Sequence, residues 1–181
     1  MLLSKSITMI KSRVEEAINN QIAREEHSSR IYMAMASWCE VSGLPGAAAY
    51  LYAQADEERM HQMKFIRHLN DRGGHAVLQA LEQPVSSFKN LLDVFEQVMK
   101  HEEYITASIN DLYEVSLTEK DYTTGNFLQW FINEQIEEES TVRGILDKIK
   151  LTGSGENGGL FHLDKELTAM AAAKVAAPAE V

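Results

Sequence analysis

Cysteine, proline, basic charge and long apolar runs are all scarce in this chain. Among 181 residues there is one cysteine, Cys39, so no internal disulfide can form, which fits a reducing cytoplasm. Three prolines leave long stretches without a helix breaker. No apolar run approaches the ~20 residues that a membrane span needs. Residues 1–10 contain Lys5 but neither a long apolar region nor a small-residue cleavage site. The expectation is therefore a cytoplasmic chain with no signal peptide and no membrane partner. Lys and Arg total 17 against 27 Asp and Glu, for a formal net charge of −10. That deficit argues against nucleic acid, whose phosphates call for a basic face. It favours cations as ligands, although a negative surface also serves simply to keep a protein dispersed.

What is abundant is helix-compatible sequence. Apolar residues make up 45% of the chain, enough for one globular domain, taken as residues 1–175 with a flexible tail at 176–181. A first segment over about residues 6–39 repeats apolar or small residues at Ile7, Ile10, Val14 and Ala17, then Ser28, Tyr32, Met35 and Cys39. These steps of three and four define one helical face. After the turn Ser42 to Gly46, a second helix runs over about 46–72 with Leu51, Ala55, Phe65 and Leu69 on its stripe. Gly73-Gly74 ends it. A third starts near Ser87 as N-cap and carries Phe88, Leu92, Phe95, Met99, Ile105, Ile109 and Leu112. Thr118 with Asp121 resembles a capping box with Asp in place of Glu and opens a fourth helix, with Leu128, Phe131, Val142, Ile145 and Ile149. A Gly-rich stretch, 153–159, precedes a short fifth helix over about 161–173.

Connection lengths set the topology. The first and second helices, and the third and fourth, are joined by a few residues and form antiparallel hairpins. Residues 73–86, extended, reach roughly 46–50 Å, whereas a helix of the second one's length is about 40 Å long. The linker can therefore run the length of the bundle and leave the second and third helices parallel. The expected fold class is all-α: a ferritin-like four-helix bundle with one long crossover and a short C-terminal helix.

Every one of the four stripes is broken near its middle by a polar residue: Glu25; Glu58 with His61; Glu102; Gln135 with Glu138. Helices of similar length packed side by side bring their midpoints to one height, so these six converge inside the bundle. Four carboxylates in a core need a counter-charge, and a bound cation supplies it while using their lone pairs. Glu58 and His61 lie three apart on one face, close enough to share a metal. Carboxylate with imidazole and no thiolate suits iron or manganese better than structural zinc.

The chain resembles bacterial non-haem ferritins over essentially its whole length. The matching segments are Glu25 with Tyr32 and Trp38-Cys39; Gly46 to Tyr50; Glu57-Glu58-Arg59-Met60-His61; Lys100-His101-Glu102; Phe127 to Phe131; Glu134-Gln135 with Glu137-Glu138-Glu139; and Asp164 to Leu167. One Glu-x-x-His is present, and Gln135-x-x-Glu138 stands where bacterioferritins have a second. The resemblance implies a ferroxidase that passes electrons from Fe(II) to dioxygen or hydrogen peroxide and stores the ferric product. Glu25, Glu58 and His61 would hold the first iron. Glu102, Glu138 and bridging Glu58 would hold the second, with Gln135 beside it. Tyr32 would donate a hydrogen bond or one electron. A third iron position would use Glu57, Glu134, Glu137 and Glu138. No haem is implied, because Arg59 occupies the place of the haem-ligating Met of bacterioferritins. A homo-oligomeric cage of twenty-four subunits is implied, with the fifth helix swinging away from its own bundle to pack about a four-fold axis through Leu160, Leu163, Leu167 and Met170. The alternative is a di-iron oxidase or peroxidase of the same family that does not store iron.

Other signals carry less. Gly153-x-Gly155-x-x-Gly158 spells a dinucleotide fingerprint but follows a helix rather than a strand. Cys39 reads as a small core residue, and His27, His68, His75, His101 and His162 as surface or supporting groups rather than ligands.

Overall fold

A computed structural model of the chain describes residues 9–152 and 158–176. Among these residues five helices follow one another: α1 Ser12–Val41, α2 Pro45–Asp71, α3 Leu91–Thr118, α4 Tyr122–Thr152 and α5 Gly159–Ala176. Residues 153–157 of the expected Gly-rich stretch 153–159, and residues 177–181 of the expected tail 176–181, lie outside the described residues. Among the described residues no helix is long and apolar enough to cross a membrane.

The apolar stripes meet in two separate clusters. One gathers Ile18, Ile22, Phe65, Leu69, Ile105, Ile109, Leu128 and Phe131. The other gathers Met35, Leu51, Ala55, Phe95, Val98, Val142 and Ile145. The first cluster takes the N-terminal halves of α1 and α4 with the C-terminal halves of α2 and α3. The second takes the complementary halves. So α1 is parallel to α4 and α2 to α3, as the crossover requires. The crossover itself lies along α1. Val77 N–H donates to Asn19 Oδ1 at 2.7 Å and His75 N–H to Glu15 at 2.9 Å, and at the far end Phe88 packs edge-on against Trp38.

Three helix starts differ from expectation, each because a competing partner wins. The expected start of the first helix, residue 6, precedes the described residues, and the helix begins at Ser12. Met9 is held out of it, its N–H bonded to the Arg72 carbonyl and its own carbonyl to the Arg72 guanidinium. α3 is capped by Asn90 rather than Ser87. Asn90 Oδ1 accepts from Asp93 N–H while Asp93 accepts from Lys89 N–H, both at 2.9 Å, and Phe88 is drawn onto Trp38 instead of into the helix. α4 is capped by Asp121, not Thr118, which ends α3. Asp121 accepts from Thr124 N–H at 3.1 Å and from the Arg72 guanidinium at 2.6 and 2.7 Å, tying the end of α2 to the start of α4.

The fifth helix also departs from expectation. It does not swing free but lies on its own bundle against α2 and α4, burying Leu163, Leu167 and Ala171 in the second apolar cluster. Leu160 and Met170, expected to face copies of the chain, are half-buried here. Asp164 accepts hydrogen bonds from Gly46 and Ala47 N–H, each at 2.9 Å, and so caps α2 from another helix. The Asp164 carbonyl comes so close to Gly46 that a Cβ there would lie 1.8 Å from it. Only glycine permits this approach.

Candidate metal centre

The two apolar clusters are separated by a polar layer at mid-bundle. Glu25, Glu58, His61, Glu102, Gln135 and Glu138 all lie in it, none more than 4% exposed. Each is held in place by the apolar residues a turn away on its own helix: Ile22, Phe65, Val98, Ile105, Phe131 and Val142. The convergence expected from the four broken stripes is what the packing produces.

Glu25, Glu58 and His61 each bring a ligand atom within 4.8 Å of the others. His61 Nδ1 is 3.5 Å from Glu58 Oε2 and 4.0 Å from Glu25 Oε2. Among the described residues no amide, hydroxyl or ammonium group donates to those two buried oxygens, and the only hydrogen bond there is the one the two carboxyls share. Native interiors seldom leave such atoms unsatisfied, so a pair of them flanking an imidazole fits a cation. The imidazole is set edge-on between the Trp130 and Phe131 rings, with centroids at 5.3 and 5.7 Å, which fixes its plane.

The other half is arranged differently. Glu102 Oε1 accepts from the Tyr32 hydroxyl and Oε2 from the Gln135 amide at 3.0 Å. Glu138 Oε2 accepts from Gln54 at 2.9 Å and Oε1 from the Lys174 ammonium at 2.9 Å. Lys174 also pairs with Glu57. Of the four acids expected at a third position, Glu57 and Glu134 come together with His61 as a second potential ligand group, Glu138 belongs to the buried layer, and Glu137 is exposed.

Electrostatics follow from burial. Removal from water, then the neighbouring Glu58 charge, holds the Glu25 carboxyl well above the usual carboxylate range. Burial and then Glu102 do the same for Glu58. Burial and the Glu138 charge push Glu102 up to about 7, against the lowering effect of the Tyr32 and Gln135 hydrogen bonds. Burial, then Glu102, raises the Tyr32 phenol and keeps it a donor. On the outer side of the layer, His101 is held near pKa 4 by burial, so it is neutral, and shares a 2.7 Å hydrogen bond with Ser28.

Three supporting residues went unread in the sequence. Gln21 donates to Glu25 Oε1 at 2.7 Å, and Gln54 donates to Glu138. Both stand four residues ahead of a buried glutamate, Glu25 and Glu58, so they break the same stripes and were detectable by the same rule. Lys174 carries no comparable signal.

Comparisons with known proteins agree with this architecture. A family model described as Ferritin-like domain matches residues 15–152. A bacterial non-heme ferritin of Campylobacter jejuni is 49% identical over 150 residues, covering 83% of this chain and 90% of its own length. One from Escherichia coli is 39% identical over 163 residues, covering 90% and 98%. A solved open-pore ferritin from the archaeon Archaeoglobus fulgidus superposes with a TM-score of 0.86 at 40% identity, covering 88% of this chain and 98% of its own. With a buried carboxylate–imidazole layer at the centre of a crossover four-helix bundle, and with these relatives, the chain belongs to the ferritin family, alongside the bacterial non-heme ferritins.

Proposed function

We propose that this protein is an iron-storage ferroxidase. It oxidises Fe(II) in the buried layer and deposits the ferric product inside a hollow shell of twenty-four copies in the cytoplasm. The observation that carries the proposal is the pair of fully buried Glu25 and Glu58 oxygens beside His61 that no amide, hydroxyl or ammonium donor among the described residues reaches. A cation explains all three groups at once, and family membership supports iron as that cation.

In this reading Glu25, Glu58 and His61 take the first Fe(II). Glu102 and Glu138 take the second, Glu58 bridges, and Gln135 stays beside Glu102. Hard oxygen donors favour Fe(III) over Fe(II), so the ligand set itself lowers the cost of oxidation. Two Fe(II) give up two electrons. These reduce dioxygen with two protons to hydrogen peroxide, or hydrogen peroxide with two protons to two waters. The protonated carboxyls release their protons as the cations arrive. Tyr32 orients Glu102 through its hydroxyl and is placed to supply one further electron. Fe(III) leaves toward Glu57, Glu134 and Glu137, whose more exposed and flexible carboxylates hold it less rigidly than the buried layer does. The protein takes no haem, nucleic acid or membrane partner.

Stopped-flow oxidation of Fe(II) in air tests the chemistry. The wild type should outpace buffer by orders of magnitude, and Glu25→Ala or His61→Ala should each remove most of the fast phase. Wild-type rates in both variants would overturn the site. Iron retained after gel filtration, with light scattering, tests storage. A monodisperse monomer or dimer that oxidises but does not retain iron would favour the non-storing oxidase.

A further inference from the structure

The last turns of α5 reach the buried layer. The ten residues from Asp164 to Lys174 rise about 15 Å, and the eleven from Gly46 to Glu57 about 16 Å. With Asp164 on the start of α2, α5 therefore runs parallel to α2 and delivers Lys174 beside Glu57 and Glu138. Glu138 then has both oxygens filled by protein donors, Gln54 on Oε2 and Lys174 on Oε1. The Lys174 ammonium pairs with Glu57 as well as Glu138, so two carboxylates hold the charge in place. Lys174 is thus a resident cation at the edge of the layer. The residues around it in the final turns, Ala172, Ala173, Val175 and Ala176, are exposed, whereas Leu163, Leu167 and Ala171 are buried. Lifting the end of α5 alone therefore breaks little besides the lysine's two ion pairs and leaves the rest of the helix docked.

We propose that Lys174 is a built-in competitor for metal at Glu138 and Glu57. The end of α5 acts as a latch, so a cation gains Glu138 by displacing the ammonium. This rests on the proposed role of Glu138 as an iron ligand and adds a control on it. In the latched position the Glu102–Glu138 half resists a second cation. When the latch lifts, Glu138 and Glu57 become available together, on the side of the bundle where iron is handed on. The exchange raises the site's charge by one, because a divalent cation replaces a monovalent one beside two carboxylates, and the ammonium moves into water, where its hydration offsets the lost ion pairs.

Zinc, which is redox-inert, isolates binding from oxidation. Calorimetric titration of the metal-free, assembled protein with Zn(II) should show one tighter and one weaker class of site. Lys174→Gln keeps the side chain's polarity and removes its charge. It should tighten the weaker class by roughly tenfold, within the coupling that contacting groups show. Adding Glu57→Gln to that variant should return much of the gain, because one of the freed carboxylates is gone. Hydrogen exchange on the wild type gives a second reading: Zn(II) should speed exchange at residues 172–176 while 163–171 stay protected. Equal affinities in wild type and Lys174→Gln, with no change in exchange at 172–176, overturn the latch and leave the metal site standing. No zinc binding by either protein overturns the latch and the site together.

Discussion

Replacing Gly46 by alanine isolates the docking of α5 from every other effect. Gly46 lies in the first turn of α2, where alanine on its own favours helix by roughly 0.5–1 kcal/mol over glycine. If nothing lay against this position, the variant would be more stable. The added Cβ, however, would lie 1.8 Å from the Asp164 carbonyl oxygen and 2.7 Å from the Thr168 hydroxyl. Against an optimal non-bonded separation of about 3.5 Å, the α5 backbone has to retreat by roughly 1.5 Å. Such a shift pulls Asp164 out of reach of the Gly46 and Ala47 N–H groups, both now at 2.9 Å. It also loosens Leu163 and Leu167, each of which contributes about 1.5–3 kcal/mol when fully buried. Losing the two hydrogen bonds and part of that burial weakens the docking by about 2–4 kcal/mol after the alanine gain is subtracted. Exchange at the α5 amides reads this directly. Since 1.4 kcal/mol is tenfold, protection over residues 163–171 should fall by about 30- to 700-fold while α1–α4 change little. A variant with unchanged or greater α5 protection would show that α5 does not rest on Gly46, and the latch argued for Lys174 would lose its anchor.

Two further outcomes follow from the buried layer and its surface. In metal-free protein the folded state keeps protons on Glu25, Glu58 and Glu102 that the unfolded chain releases near pH 4.5. Stability is therefore full below that pH and falls as pH rises toward about 7. Glu102 alone, shifted from 4.5 to about 7, removes about 3 kcal/mol over that window. Denaturant titrations of chelator-treated protein at pH 5 and pH 8 should show the loss, and saturating Zn(II) should abolish it. A metal-free protein equally stable at both would contradict the assigned burial. Expression with ample haem should give no haem absorption band, because Arg59 stands at the position where a ligating Met is needed, and a stoichiometric band would refute that assignment.

The bundle was legible because its interior obeys one rule four times. Each helix keeps an apolar stripe of period 3.6, and each stripe fails at the same height. The alignment of Glu25, Glu58, Glu102 and Glu138 thus needed only helix lengths and one crossover. Helix starts were less legible because good caps are common and cheap. Ser86, Ser87 and Asn90 are all competent, and the choice of Asn90 depends on Phe88 finding Trp38, some fifty residues away in the chain. Likewise Asp121 caps α4 with help from Arg72 at the end of α2. The docking of α5 was not legible at all. Its decisive contacts join Asp164 to Gly46 and Lys174 to Glu57, pairs separated by 118 and 117 positions, and no local pattern encodes them.

The two halves of the layer differ in a way that bears on the order in which cations enter. On the Glu25–Glu58–His61 side, one oxygen of each carboxylate is bare, and the imidazole is fixed by aromatic walls. A cation arriving there displaces protons, and with them the hydrogen bond between the Glu25 and Glu58 carboxyls, but no amide, hydroxyl or ammonium donor has to leave those two oxygens. On the Glu102–Glu138 side all four oxygens are already occupied, by Tyr32, Gln135, Gln54 and Lys174. A cation there must break or share bonds made to charged acceptors, which are among the stronger ones in proteins. The first half is therefore preorganised and the second is held in reserve by donors on flexible side chains. Filling the first half also changes the second. The first cation takes the place of the Glu25 and Glu58 protons, so the net charge beside Glu102 and Glu138 stays about level, while Glu58 becomes an anionic ligand that a second cation can share in the proposed bridging arrangement. The hold of Glu138 on the Lys174 ammonium is then largely unchanged by the first cation, so the competition between lysine and metal, rather than the first binding step, decides when both positions are filled.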